Sequence, residues 1–253
     1  MSDPTSSLRV ALVTGGSSGI GLATAGALIE KGFTVIITGR REAALTDAIG
    51  KLPKGKAHAI AADVSNPDSV SRLFNEIEQR FGRLDLLFNN AGRNTPSMPI
   101  EDISFETWQS VIETNLTGSF LCAQAAIRLM KKQTPKGGRI INNGSISAHT
   151  PRPFAIAYNA SKHAITGLTK SIALEGREHD IACGQIDIGN ATTELSWEMQ
   201  KGVIQADGST RKEAMMDVRS AADAVCFMAT LPPDANALFL TVMATKMPFV
   251  GRG

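Results

Sequence analysis

The stretch from Leu8 to Gly32 constrains the fold of this chain more than any other. Leu8 to Thr14 (LRVALVT) is a short apolar run rich in β-formers, and it breaks into Gly15-Gly16-Ser17-Ser18-Gly19-Ile20-Gly21. An alanine-rich helical pattern follows to about Lys31, and Gly32 supplies its C-terminal cap. Strand, glycine turn and helix in that order present backbone N–H groups and the positive end of a helix to a phosphate. Glycines let the backbone approach a pyrophosphate that side chains would hold off. The spacing is G-x-x-x-G-x-G, not the more familiar G-x-G-x-x-G. With a strand before it and a helix after it, the turn predicts a dinucleotide site formed by Gly15, Ser17, Ser18, Gly19, Ile20 and Gly21. The plainer alternative is an ordinary glycine-rich loop.

The same alternation continues. Phe33 to Thr38 reads as a second strand, and the residues just past it select the cofactor. An NAD site places a carboxylate there for the ribose hydroxyls, whereas this chain has Gly39, Arg40 and Arg41. An arginine fork suits a 2′-phosphate, so the preference predicted is NADP(H) over NAD(H). Lys56 to Ala61 is a third strand ending at Asp63-Val64, and Pro67 to Phe81 is helical. Leu84 to Phe88 is a fourth strand that delivers Asn89-Asn90-Ala91-Gly92 at its carboxyl end, where ligands of open α/β sheets bind. A long helical stretch from about Phe105 to Lys132 is interrupted at Asn115 and Gly118, and a buried amide there marks a kink or a site. Arg139 to Asn143 is the fifth strand and leads to Ser145.

A helix from Tyr158 to about Glu178 follows, then a sixth strand, Ile181 to Ile188. Thr193 to Ser209 is polar, with scattered Leu195, Trp197 and Met199, and reads as the main part of a mobile lid over about 190–215. Ala221 to Leu231 is the last helix, Pro232-Pro233 breaks it, and Ala237 to Met243 is a seventh strand. The pattern predicts one α/β domain spanning residues 1–253, with a doubly wound parallel seven-stranded sheet and helices on both faces.

The chemistry centres on Tyr158-Asn-Ala-Ser-Lys162, which holds the one tyrosine of the sequence. On a helix, positions i and i+4 share a face. A phenol titrates near pH ~10 and needs help to work near neutrality, and a nearby ammonium lowers that value. Ser145, thirteen residues upstream, is placed to hydrogen-bond the substrate oxygen that Tyr158 would protonate. The alternative is a buried tyrosine beside a solvated lysine.

Bulk properties exclude several classes. A net charge of +2 leaves no basic footprint for nucleic acid. Cys122, Cys183 and Cys226 lack metal-ligand spacing and read as buried thiols of a reducing compartment, with no metal site. Met1 to Ser7 is short and polar, unlike a signal peptide, and no apolar run reaches membrane-spanning length. A cytoplasmic location is expected.

Taken together, Thr14 to Gly21, Asp63-Val64, Asn89 to Gly92, Asn115, Ser145 and Tyr158-x-x-x-Lys162 resemble the short-chain dehydrogenase/reductase family over essentially the whole chain. The resemblance implies a Rossmann-type sheet and an oxidoreductase interconverting a carbonyl compound and a secondary alcohol. It makes Tyr158 the general acid or base and gives Ser145 the substrate oxygen. Lys162 is assigned the nicotinamide ribose and a lowering of the Tyr158 pKa, and Asn115 a relay water. Asp63 and Val64 would flank the adenine, while Asn89, Ala91 and Gly92 line the cofactor cleft. Ile188 and Thr193 would meet the carboxamide, and a homotetramer or homodimer would form through the two long helices.

Three departures stand out. Asp187-Ile188-Gly189 replaces the usual Pro-Gly after the sixth strand, and the glycine turn carries Ser17 and Ser18 in place of a basic residue. The chain closes on Ala244 to Gly253 without Asp-Gly-Gly, which argues against a fatty-acid synthesis role. Substrate contacts are expected from Arg93, Asn94, Ser147, His149, Arg152, Phe154, Leu195 and Trp197, with a partly apolar pocket. The competing readings are an NAD(H)-dependent alcohol, sugar or steroid-type dehydrogenase, a non-catalytic nucleotide-sensing protein, and an epimerase or dehydratase.

Overall fold

Alternation along the first strand sorts its side chains between two cores. In β1 (Arg9–Thr14), Ala11 and Val13 face one way and Val10 and Leu12 the other, all fully buried. β2 (Phe33–Gly39) divides in the same manner, Val35 and Ile37 against Ile36. The first core is covered by α1 (Gly19–Glu30), α2 (Glu42–Gly50) and α7 (Val218–Ala229). The second is covered by α3 (Pro67–Phe81), α5 (Gly118–Lys132) and α6 (Ile156–Glu175). Strands buried on both faces read as continuous apolar runs, which is how they stand in the sequence. The computed structural model describes residues 8–193, 196 and 202–250.

The remaining strands of the main sheet are β3 (Ala57–Ala61), β4 (Leu86–Asn89), β5 (Gly138–Asn143), β6 (Ile181–Ile188) and β9 (Phe239–Val242). All seven are parallel, in the order β3-β2-β1-β4-β5-β6-β9, the Rossmann arrangement. The chain runs outward from β1 through β2 and β3, then returns to lay β4 on the other side of β1. That reversal opens a crevice at the carboxyl ends of β1 and β4.

Three local features differ from the sequence reading. The long helical stretch is α4 (Phe105–Ile112) and α5 joined by a π-helical turn, Glu113–Thr117, with Asn115 buried inside it. The helix bearing the tyrosine begins at Ile156, two residues early, so Tyr158 stands in its first turn. The stretch read as a lid contains a small antiparallel hairpin, β7 (Val203–Ile204) with β8 (Thr210–Arg211). Leu195, Trp197 and Met199, to which the lid reading gave weight, lie outside the described residues.

Candidate active site

The glycine turn is tight because its parts touch. A Cβ on Gly21 would lie 2.3 Å from the Gly15 carbonyl oxygen and 2.6 Å from Asn90 Nδ2, and one on Gly16 would lie 2.7 Å from Ile37. Gly15 also adopts φ +63°, a left-handed conformation that favours glycine. α1 starts at Gly19, and its N-cap Ser18 makes no side-chain capping bond, so no side chain of Ser18 closes off the first N–H groups. An uncapped helix start behind a turn with no room for side chains fits a pyrophosphate.

That turn forms one end of a cleft of about 420 Å³. Gly15, Ser17, Ser18, Gly19 and Ile20 line it, as do Arg40, Arg41, Asp63, Val64, Ala91, Gly92, Ile188 and Thr193. Gly21 lies beneath Gly15 and not on the cleft wall. Arg40 and Arg41 are exposed at the outer end. Burial works against ionisation of Asp63, but the Ser65 hydroxyl at 2.6 Å, the Ser65 N–H at 3.0 Å and the Arg40 charge hold its carboxyl below the usual range.

Asn89 does not belong to the cleft. It follows Leu87 to the α5 face of β4, is 3% exposed, and donates from Nδ2 to Asn142 Oδ1 at 2.9 Å and the Ser119 carbonyl at 3.1 Å. Asn90 faces the cleft instead. It donates to the Thr14 and Gly15 carbonyls at 2.9 and 3.2 Å and accepts from Asn143 Nδ2 at 3.0 Å, tying β4 and β5 to the glycine turn. Strand periodicity, with Leu87 and Phe88 on opposite faces, was the signal that could have separated the two asparagines.

The other end of the cleft gathers Ser145, Tyr158 and Lys162. Lys162 Nζ donates to the Asn143 carbonyl at 2.6 Å and sits 5.5 Å from the Tyr158 ring centroid. Burial lowers Lys162 to about 8, against the pull of Asp187. Burial raises the Tyr158 phenol, a hydrogen bond with Ser145 and the charge of Arg152 draw it down, and Asp187 adds to the rise. In the protein without a cofactor burial is the largest influence on the phenol, and Lys162 is not among the groups that draw it down. Ser145 Oγ accepts from the Ser147 N–H at 3.1 Å, which leaves its own proton free to donate.

Asn115 is close by but behind the wall. Its Oδ1 accepts from the Arg93 N–H at 2.8 Å, and Nδ2 donates to the Arg93 carbonyl at 3.0 Å and Ser161 Oγ at 3.1 Å. Its amide clamps the loop after Gly92 to α6.

Of the expected substrate contacts, Arg93, Asn94, Ser147 and Arg152 line the cleft. Phe154 does not: at φ 57° it turns into a separate surface groove beside Met98, Ile100 and Ile156. His149 also lies off the cleft, with Nε2 2.9 Å from Asp187 Oδ2. Leu195 and Trp197 are outside the described residues, and the described lining of the cleft mixes polar and apolar surface. Sequence reasoning missed Glu213, whose buried carboxylate accepts from Arg152 and from Asn190 Nδ2, a cleft residue. Among the described residues no group of side chains could hold a metal ion, and no helix is long and apolar enough to cross a membrane. Burial pushes the Cys122 and Cys183 thiols up to about 12, which makes them unreactive.

Residues 9–203 match the family model described as short chain dehydrogenase. Over 190 residues the chain is 37% identical to a 3beta-hydroxysteroid dehydrogenase of Mediterraneibacter gnavus, covering 74% of this chain and 68% of that protein. The 3-ketoacyl-(acyl-carrier-protein) reductase from Brucella melitensis, complexed with NADH, superposes with TM-score 0.84 at 25% identity over 94% of this chain and 98% of that one. An actinorhodin polyketide ketoreductase with NADPH gives 0.83 at 26% identity, covering 93% and 95%.

Proposed function

Because this chain belongs to the short-chain dehydrogenase family, we propose that it is an NADP(H)-dependent oxidoreductase in which Tyr158 moves the proton between a carbonyl compound and a secondary alcohol. One observation carries this reading. A single cleft joins the glycine turn, Arg40 and Arg41 at one end to Ser145, Tyr158 and Lys162 at the other. Relatives of known structure hold NADH and NADPH, and the two exposed arginines favour the phosphorylated form here.

A bound nicotinamide would supply or accept the hydride. Gly15, Gly19 and the start of α1 would hold the pyrophosphate, Arg40 and Arg41 the 2′-phosphate, and Lys162 the nicotinamide ribose. The protein's own work is proton management. Ser145, whose oxygen accepts from the Ser147 N–H, donates its own proton to the substrate oxygen and fixes where that oxygen sits. Tyr158 gives its proton to the same oxygen in reduction and takes it back in oxidation. Lys162, anchored by the Asn143 carbonyl, stands next in the path by which the phenol is reprotonated. Asn115 stands beside this path, with its amide committed to Arg93 and Ser161 and its carbonyl accepting from Ser119 Oγ at 2.8 Å.

Binding of NADPH and of NADH, followed by nicotinamide fluorescence in wild type and in Arg40→Asp, tests the cofactor reading. NADPH preference that falls at least about tenfold in the variant supports it. Preference for NADH in the wild type would remove Arg40 and Arg41 from the site. Tyr158→Phe is expected to keep NADPH binding and lose turnover of any carbonyl identified by NADPH consumption.

A homotetramer is part of the same proposal. Phe105, Phe120 and Leu174 stand exposed on α4, α5 and α6, and a Cβ on Gly167 would meet open space. A monomeric mass by light scattering would exclude it.

A further inference from the structure

A carboxylate with no access to solvent lies directly behind the serine. Asp187 is fully buried at the carboxyl end of β6, where an unpaired charge would be costly. Its Oδ1 accepts from the Ser145 N–H at 3.0 Å and from Gln185 Nε2 at 2.7 Å, and its Oδ2 pairs with His149 Nε2 at 2.9 Å. Ser145 and His149 bracket the turn of 3-10 helix Ile146–Ala148. Both ends of that turn are thus fastened to one side chain, and Ser145 Oγ and Ser147 are held between them. The fit is close: a Cβ on Gly144 would lie 2.1 Å from Asp187 Oδ1.

We propose that Asp187 and His149 are positioning residues that hold the Ser145 turn so that the serine hydroxyl meets the Tyr158 phenol. The inference deepens the reading of Ser145 and Tyr158 given above and rests on it. The charged and titratable groups on the surrounding elements are Tyr158 and Lys162 from α6 and Arg152 from the loop before it, the last neutralised by Glu213. None of them contacts the Ser145 N–H, whose acceptor is Asp187. The surroundings of Asp187 satisfy both of its oxygens. Two neutral donors and an imidazole converge on it, and a buried hydrogen-bond chain continues from Gln185 through Thr169 and Asn142 to Asn89.

Because Tyr158 is the sole tyrosine, labelling tyrosine at the ring carbon that bears the hydroxyl gives a single resonance, which reports the phenol's hydrogen bonding at neutral pH without any substrate. Ser145→Ala is expected to displace that resonance in the otherwise wild-type protein. In Asp187→Ala and in His149→Ala backgrounds the displacement should shrink by more than half. With His149→Gln, which keeps a donor for Asp187, it should return. Equal displacement in every background, or none in the wild type, would overturn the proposal. His149 is half-exposed, so His149→Ala decides the matter even where Asp187→Ala does not fold. Turnover of carbonyls with NADPH is scored separately. Its failure would count against the reaction assigned to Tyr158 and leave the resonance experiment intact.

Discussion

Replacing Glu213 by glutamine should loosen the segment that carries the β7–β8 hairpin from Arg152 and Asn190. The Glu213 side chain is 2% exposed and binds Arg152 Nη2 at 2.7 Å and Nη1 at 3.3 Å. Asn190 Nδ2 adds a bond at 2.8 Å and Gln205 Nε2 one at 3.1 Å. Burial by itself would raise this carboxyl, yet the bonds from Arg152, Asn190 and Gln205 take it from 4.5 down to about 2. At about 1.4 kcal/mol per pH unit that difference corresponds to about 3 kcal/mol. Breaking one side of a buried ion pair typically costs ~3–5 kcal/mol, which is consistent. A depressed carboxyl contributes its stability above its unfolded value and loses it as pH falls through the folded one. The contribution is therefore complete above about 4.5 and gone near 2. Urea melts of wild type, Glu213→Gln, Arg152→Met and the double variant, at neutral pH and through the acid range, measure this. The expected outcome is a loss of about 3 kcal/mol for Glu213→Gln, a coupling of about 2 kcal/mol between the two sites, and a shallower acid slope in both single variants. A Glu213→Gln protein within about 0.5 kcal/mol of wild type, with the same acid slope, would refute the reasoning.

Gly21→Ala should lose nicotinamide binding and about 1–3 kcal/mol of stability, since the new methyl would lie 2.3 Å from the Gly15 carbonyl oxygen; calorimetry with NADPH and thermal melts check both. Lys162 titrates at about 8 in the folded protein against an ordinary 10.5, so the unfolded chain binds the extra proton between those values and stability should rise with pH from about 8. Tyr158, raised above 10, reverses the trend in more alkaline solution, where the unfolded chain ionises first. Lys162→Met should abolish the rise, and Tyr158→Phe the later fall, in melts taken across that range. Asn90→Ala should weaken NADPH binding more than Asn89→Ala, because only Asn90 bonds to the glycine turn.

The elements were legible wherever one physical signal dominated. α3 runs from Pro67 to Phe81 as read, with proline at its start, a capping Asn66 side chain and Gly82 in the left-handed region at its end. β6 was equally plain, an eight-residue run with no competing pattern. What stayed hidden depended on partners far away in the chain. Asp187 in isolation is a charge at a strand end, and only its meeting with Ser145, Gln185 and His149 explains it. His149 read as a substrate contact for the same reason, because nothing local shows that its ring turns to Asp187. Phe154 looked like pocket lining from its size, but a positive φ takes it to the surface groove. Glu213 carried no motif, being one acid in a polar stretch.

The π-helical turn at Glu113–Thr117 sets a rotational phase that the sequence does not display. An α-helix advances about 100° per residue, so one surplus residue in plain α geometry would offset the angular position of everything after it. The π turn takes up that surplus, because its wider winding spends five residues on about the rotation that four make in an α-helix. α5 therefore keeps Ser119, Cys122, Ala123 and Ala126 buried while Phe120 stands exposed. Deleting one residue from 113–117 should leave a regular helix with α5 facing as before, and the change should fall on the local position of Asn115. The π turn thus separates the placing of one side chain from the orientation of the helix that carries it.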